Sequence, residues 1–344
     1  MNKPLLLLSF AMLFWIAVKA QTGTTETSAN GQTFVAMFYN VENFYDTIND
    51  PNTNDDEFTP QAKVPWTGER LNTKIKHIGQ VVTDIVKPNI PDIIGFAEVE
   101  NKDVLLMLTS SPALAKYKYA IVHYDSPDER GIDVALLYNP KTFTVIDSEP
   151  LKVVLPNNDR TRDILYVKGR IHTGEILHVF INHWPSRRDG KEISEPKRMA
   201  AASVLRSKLD NIEKMDAKAD VLIMGDFNDE PSDKSFTKGL QALSTDTVFV
   251  KCNLYDLLYP QFKKGEGSLY YNDWDLFDQI IVTGNMLMKH KGLRTSVADA
   301  GIFKADYLLY EDKNGTKRPN RTSSSSKYFG GYSDHLPVYL KLTY

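Results

Sequence analysis

Ile223-Met224-Gly225-Asp226-Phe227-Asn228-Asp229-Glu230-Pro231 is the stretch on which the reading of this chain turns. The apolar run Val221 to Met224 predicts a short buried strand. That strand delivers Asp226 and Asn228 into a loop ending at Pro231. Strand alternation over that spacing sends both polar side chains to one side. An acid beside a neutral amide suits phosphate chemistry. The Asp accepts a proton or faces a cation, and the Asn donates to a phosphoryl oxygen without adding negative charge. Taken alone, the same loop is equally a capped turn.

Three further clusters change that balance. Phe34 to Phe38 reads as a strand and runs into Tyr39-Asn40-Val41-Glu42-Asn43. Asp92 to Asn101 contains a second buried strand that closes on Glu98. Tyr332-Ser333-Asp334-His335-Leu336-Pro337 precedes a terminal strand, Val338 to Leu342. Each strand end carries a residue able to touch a metal or a phosphate, and strand ends are where α/β proteins place ligands. One such acid is ordinarily a cap; four are hard to explain as caps.

With these motifs in order, the chain resembles the endonuclease/exonuclease/phosphatase superfamily, the deoxyribonuclease-I-like metal-dependent phosphoesterases. The resemblance runs from about Phe34 to Tyr344. It rests on Asn40 of the first strand, Glu98, the Asn-His-Trp-Pro of Asn182 to Pro185, and the Gly-Asp-Phe-Asn of Gly225 to Asn228. Asp278 to Ile280 and Ser333 to His335 complete it. Ala97 departs from the Gln that the broader family often carries before the Glu, which bears on a neighbouring hydrogen bond only.

The resemblance implies a role for each matched position. Glu98 with Asn40 would hold a divalent cation, Mg2+ or Mn2+, with Asp334 as a further ligand; hard oxygen donors suit such ions. His335 paired with Asp278 would be the acid–base unit, the carboxylate fixing the imidazole tautomer. Asp226 is the other candidate for activating water, and both assignments stay open. Asn228 and His183 would donate to the nonbridging oxygens as charge builds on phosphorus. Arg130, Arg187 and Asn182 are the expected substrate contacts, guanidinium forks matching phosphate oxygens. A phosphoester substrate follows, from nucleic acid to a small phosphorylated molecule, because the superfamily spans them all. A phosphomonoesterase or phospholipase-type hydrolase is the alternative enzyme, and a noncatalytic binding module is the alternative class.

Composition sets limits. The 344 residues are 42% hydrophobic and carry 41 basic against 44 acidic side chains, a net charge of −3. Loss of Lys3 and Lys19 with an export signal makes the mature chain more acidic. Proteins that grip long nucleic acid without sequence preference show a basic surface, so the balance argues against a DNA-wrapping enzyme. No linker divides residues 33–344, which are expected to form one domain and a monomer.

Residues 1–20 read as a signal peptide: Lys3, the apolar Leu5 to Val18, then Val18-Lys19-Ala20 as the cleavage site. That run is too short for the preferred reading to be a membrane span. Residues 21–32 read as a flexible leader, and the mature protein as secreted or periplasmic. The lone Cys252 leaves stability to the core.

Periodicity predicts helices over Leu71 to Val86 and over Ser194 to Leu209, with Pro196 in the first turn of the latter. Strands are expected at Tyr119 to Tyr124, Val134 to Tyr138, Ile164 to Ile171, Leu177 to Asn182 and Gln279 to Val282, besides those above. Many strands with few helices suit two mixed β-sheets packed face to face, and the resemblance implies the four-layer α/β sandwich with helices outside. Asp46 to Arg70 reads as a polar loop beside the cleft, held down by Phe58 and Trp66. Its acidic stretch lacks the spacing and central Gly of an EF-hand loop. Gly267 to Tyr271, with Trp274, form another candidate wall of the cleft, although Trp274 itself reads as core. Glu311 to Lys327 reads as a long mobile loop.

Overall fold

The computed structural model describes residues 32–156 and 159–344, so the expected signal peptide and almost all of the leader lie outside the described residues. Gln32–Tyr344 forms one compact unit. Thirteen strands build its two main sheets. The first sheet uses β1 (Thr33–Phe44), β2 (Ile93–Val99), β3 (Ala120–His123) and β4 (Asp133–Tyr138). The second begins with β5 (Phe143–Leu151), β6 (Ile164–Ile171), β7 (Ile176–His183), β8 (Asp220–Asp226), β9 (Ala242–Leu243) and β10 (Leu254–Asp256). It is completed by β11 (Asp278–Thr283), while β12 (Ala300–Ile302) and β13 (Val338–Thr343) return to the first. The spatial orders are β12-β13-β1-β2-β4-β3 and β5-β6-β7-β8-β11-β10-β9. Both sheets are mixed: β1 and β2 are parallel, as are β7 and β8, while β13 runs antiparallel to β1.

Alternation along β1 explains the layering. Phe34, Ala36 and Phe38 face the second sheet and share a core with Ile181, Leu222, Met224 and Ile280. Val35, Met37 and Tyr39 face the other way, onto Ile75, Ile78 and Val82 of helix α1 (Gly68–Asp84) and Leu105 and Leu108 of α2 (Lys102–Thr109). The outer face of the second sheet, including Phe180, Val221, Ile223 and Ile281, packs on Ala201, Leu205 and Leu209 of α3 (Lys191–Met215). Helix, sheet, sheet, helix is the four-layer order expected from the sequence, with the period-2 strands burying both faces.

Element bounds shift where local signals were weak. Helix α1 starts at Gly68, after the Thr67 cap, and α3 starts at Lys191, so Pro196 lies inside the helix rather than in its first turn. Strand β5 was not foreseen: Pro150 and its exposed positions mask it, although it pairs with β6 along its whole length. The expected mobile loop at 311–327 is instead built from two short hairpins. Leu309–Glu311 pairs with Lys317–Pro319, and Ser323–Ser324 with Lys327–Tyr328. The Asp46 to Arg70 loop is held as anticipated: Phe58 stacks on Tyr45 at 3.9 Å, and Trp66 Nε1 donates to the Tyr45 carbonyl at 3.1 Å. Among the described residues, no helix is long and apolar enough to cross a membrane.

Candidate active site

Register brings the separate motifs together. In the second sheet, β7 and β8 end side by side with His183 opposite Asp226, and β11 begins with Asp278 opposite Asp226 on the other flank. A side chain at position 225 would collide with the Asn182 carbonyl oxygen, 2.5 Å from its Cβ, so only Gly lets these two strands close up before Asp226. From the first sheet, Asn40 of β1 reaches across to donate through Nδ2 to Asp226 Oδ2 at 3.0 Å. The loop ahead of β13 is tied to β1 by Ser333, whose hydroxyl donates to the Asn40 carbonyl at 2.7 Å and accepts the His335 N–H at 3.0 Å.

Asp226 is therefore the hub, 1% exposed. Its Oδ1 accepts the Asn228 N–H at 3.0 Å. Its Oδ2 faces Asn40, His183 Nε2 at 3.5 Å and His335 Nε2 at 3.7 Å. His335 Nδ1 is hydrogen-bonded to Asp278 Oδ2 at 2.7 Å. Ser268 locks that partner in place by accepting the Asp278 N–H at 3.0 Å, and its carbonyl accepts the Leu336 N–H at 2.7 Å.

The charges follow from these contacts. Burial alone would lower the His335 pKa, but the Asp278 and Asp226 carboxylates hold it well above the ordinary histidine value, so it is an imidazolium at neutral pH. Burial drives His183 the other way, aided by the positive Arg162, Arg130 and His335, and it is neutral. Burial, with Asp278 adding to it, raises Asp226 to about 6 despite the opposing pull of His335.

Glu98 stands on the neighbouring strand end. Asn40 pairs with Ala97, and both strands then bulge, with Glu42, Asn43 and Glu98 all in the left-handed region at φ 52°, 56° and 62°. Such strained backbone persists where the surroundings over-determine it, and bulges re-aim side chains. The Glu98 carboxylate accepts the Asn43 N–H at 2.9 Å and takes both arms of Arg130 at 3.3 Å. Burial would raise its pKa, but Arg130 overcomes this and holds it below the usual carboxylate value. Arg130 also donates to Asn43 Oδ1.

Other expected site residues sit differently. The strand stops at Asp226, so alternation does not place Asn228. A left-handed residue at φ 51° does, with its Nδ2 donating to the Trp184 carbonyl at 3.0 Å. Asn182 is fully buried, donating to the Met224 carbonyl and accepting from Trp184 Nε1 at 3.1 Å. Arg187 is engaged within its own loop: Nε donates to the Asn228 carbonyl at 2.7 Å, and Nη2 pairs with Asp229 at 2.9 Å and with Asp233. Asp334 Oδ2 lies 3.3 Å from Arg321 Nη2. Arg162, which no motif signalled, is buried between Asp128 at 2.9 Å and the Trp184 carbonyl at 2.7 Å. Trp274 is half-buried, edge-on to Tyr270 and beneath Lys304.

The site can hold a hard cation. Asn40 and the carboxylates of Glu98, Asp226 and Asp278 offer oxygen donors with no thiolate among them, and Asp278 Oδ1 is buried without a hydrogen-bond partner. Among the described residues, Asp226, Asp278 and His335 bring ligand atoms within 4.8 Å of one another here. This set differs from the expected Asn40, Glu98 and Asp334.

A model of the endonuclease/exonuclease/phosphatase family matches residues 35–344. The chain belongs to this family. It is a phosphoric ester hydrolase. No curated protein sequence matches the chain. Its fold is similar to that of an endonuclease/exonuclease/phosphatase family protein from Bacteroides thetaiotaomicron, at 16% identity and a TM-score of 0.55, covering 92% of this chain and 99% of that one. D. rerio TDP2 complexed with single strand DNA product is similar at 14% identity and 0.54, covering 90% and 98%. The human Nocturnin catalytic domain with bound sulfate aligns at 18% and 0.52, covering 90% and 94%. The sandwich and the family membership agree.

Proposed function

We propose that the chain is an exported, divalent-metal-dependent phosphodiesterase that cleaves by in-line attack of water. The observation that carries this reading is the Asp226 carboxylate set between a neutral His183 and a charged His335 that Asp278 holds. Asp226, raised to about 6, accepts the proton of the attacking water. Because Nδ1–H is donated to Asp278, the His335 Nε2–H points at the reacting group as a charged donor. Its charge state favours Asp226 over His335 as the base. His183 and Asn228 donate to the nonbridging oxygens, and Arg130 neutralises charge beside Glu98. Held by Glu98 and Asn40, a Mg2+ or Mn2+ ion would supply Lewis-acid charge to the phosphoryl oxygen. Asp334 keeps its place as a further ligand, since Arg321 meets only one of its oxygens, at 3.3 Å. Arg187 and Asn182 act by shaping the loop rather than by touching substrate.

The test is hydrolysis by the purified mature protein with Mg2+ or Mn2+, beside an EDTA control. Supercoiled plasmid, small phosphodiesters and phosphomonoesters are the substrates. Metal-dependent diester cleavage that falls about 10³–10⁴-fold in Asp226→Ala supports the proposal. Turnover of monoesters alone replaces it with the phosphatase reading, and no turnover of any phosphoester overturns it. Export rests on Leu5 to Val18 and the Val18-Lys19-Ala20 site. A mature N-terminus at Gln21 supports it, and retention of Met1 removes it.

A further inference from the structure

Glu42 lies two residues beyond Asn40 on the β1 bulge and is 1% exposed. Its carboxylate gathers donors from a single turn of the segment between the two short hairpins. Thr322 N donates at 2.6 Å, Ser323 N at 3.2 Å, and Arg321 Nε and Nη2 each at 3.3 Å. Lys74 of α1, equally buried, donates to Thr322 Oγ1 and to the Tyr332 carbonyl at 2.9 Å. Two buried side chains, one acidic and one basic, thus anchor the turn to the first sheet and its helix. The Arg321 guanidinium is only half withdrawn from solvent and extends from Glu42 to Asp334 Oδ2 at 3.3 Å.

Asp334 is flanked by Ser333, which is bonded to the Asn40 carbonyl, and by His335. The contacts close a ring: Asn40 to Glu42 along β1, Glu42 to Arg321, Arg321 to Asp334, and Ser333 back to Asn40. We propose that Arg321 is a positioning residue, holding Asp334 against the β1 bulge and so fixing His335 relative to Asn40 and Asp226. This rests on the function proposed above. The Arg321–Asp334 pair is open to solvent on both sides and such pairs contribute little to stability, so its role is geometric. A small misplacement of a reacting group costs far more in rate than in stability. Lys carries the charge but not the fork that spans two carboxylates.

Kinetics, thermal unfolding and amide hydrogen exchange on Arg321→Gln and Arg321→Lys test this. Arg321→Gln is expected to lower kcat about 30-fold with KM within about threefold. Its Tm should stay within about 4 °C of the parent. Exchange at the His335 amide should accelerate, and Arg321→Lys should recover part of both losses. A raised KM with unchanged kcat would make Arg321 a substrate contact and overturn the proposal. Unchanged kinetics and exchange would reduce it to a surface ion pair. If the parent protein turns over no phosphoester, the functional reading fails, and exchange at His335 still decides the positioning claim.

Discussion

His183 and His335 present Nε2 to the same Asp226 oxygen, at 3.5 and 3.7 Å, one from each sheet, yet they carry different charge. Both are buried, so burial alone does not separate them. The second ring nitrogen does. His335 Nδ1 meets Asp278, whereas His183 Nδ1 is buried without a partner and feels the positive Arg162 and Arg130. A carboxylate on the far side of the ring turns a buried imidazole into a fixed positive donor, and its absence leaves a neutral one. The cleft thereby acquires two donors of different strength around one acceptor.

Asp278→Asn should erase the contrast and have the largest effect of the three substitutions. With the carboxylate gone, the His335 pKa drops toward the ordinary value, and kcat on a diester should fall about 10²-fold or more. The stabilising effect of the raised His335 pKa is fully present below the unfolded-state value of about 6.5 and is lost as pH rises through the folded one. Denaturant unfolding of metal-free parent and variant should therefore show a gap that is widest at mildly acidic pH and narrows in alkali.

His183→Gln sharpens the comparison from the other side. Gln keeps a neutral donor, so kcat should fall only about tenfold. A depressed histidine pKa destabilises the fold as pH falls below about 6.5, because the unfolded chain then binds the proton that the folded one refuses. The variant should thus lose less stability than the parent between neutral pH and about pH 5, read by the same unfolding curves.

Arg187→Ala leaves both histidines intact and should have the smallest effect on rate. It frees the Asn228 carbonyl and leaves Asp229 to Arg198, which pairs with it at 2.7 Å. A destabilisation of about 2 kcal/mol with a loss of kcat below about tenfold is expected. A rise in KM alone would instead restore Arg187 as a substrate contact.

The motif residues were legible in the sequence because polar side chains closing buried strands stand out against the apolar runs before them. Val221 to Met224 and Phe34 to Phe38 announce buried strands, and a buried strand that stops at Asp226 or runs on to Asn40 needs a partner for the polar group. The layer order followed from the same alternation. Arg162, Glu42, Lys74 and Arg321 left no such trace, since single charged residues in polar stretches look like solvated surface. Only the folded chain brings Glu42 to a turn 280 positions away, where Thr322 donates to it. The partners of Asn182 and Arg187 left no trace for the same reason: Met224, Asn228 and Asp229 are supplied by a neighbouring strand and its loop. The sequence by itself therefore determined the sandwich, the polar strand ends that the fold gathers and the family. Tertiary structure alone decided which imidazole is charged and which carboxylate each arginine meets, because both depend on distances between groups that are remote along the chain.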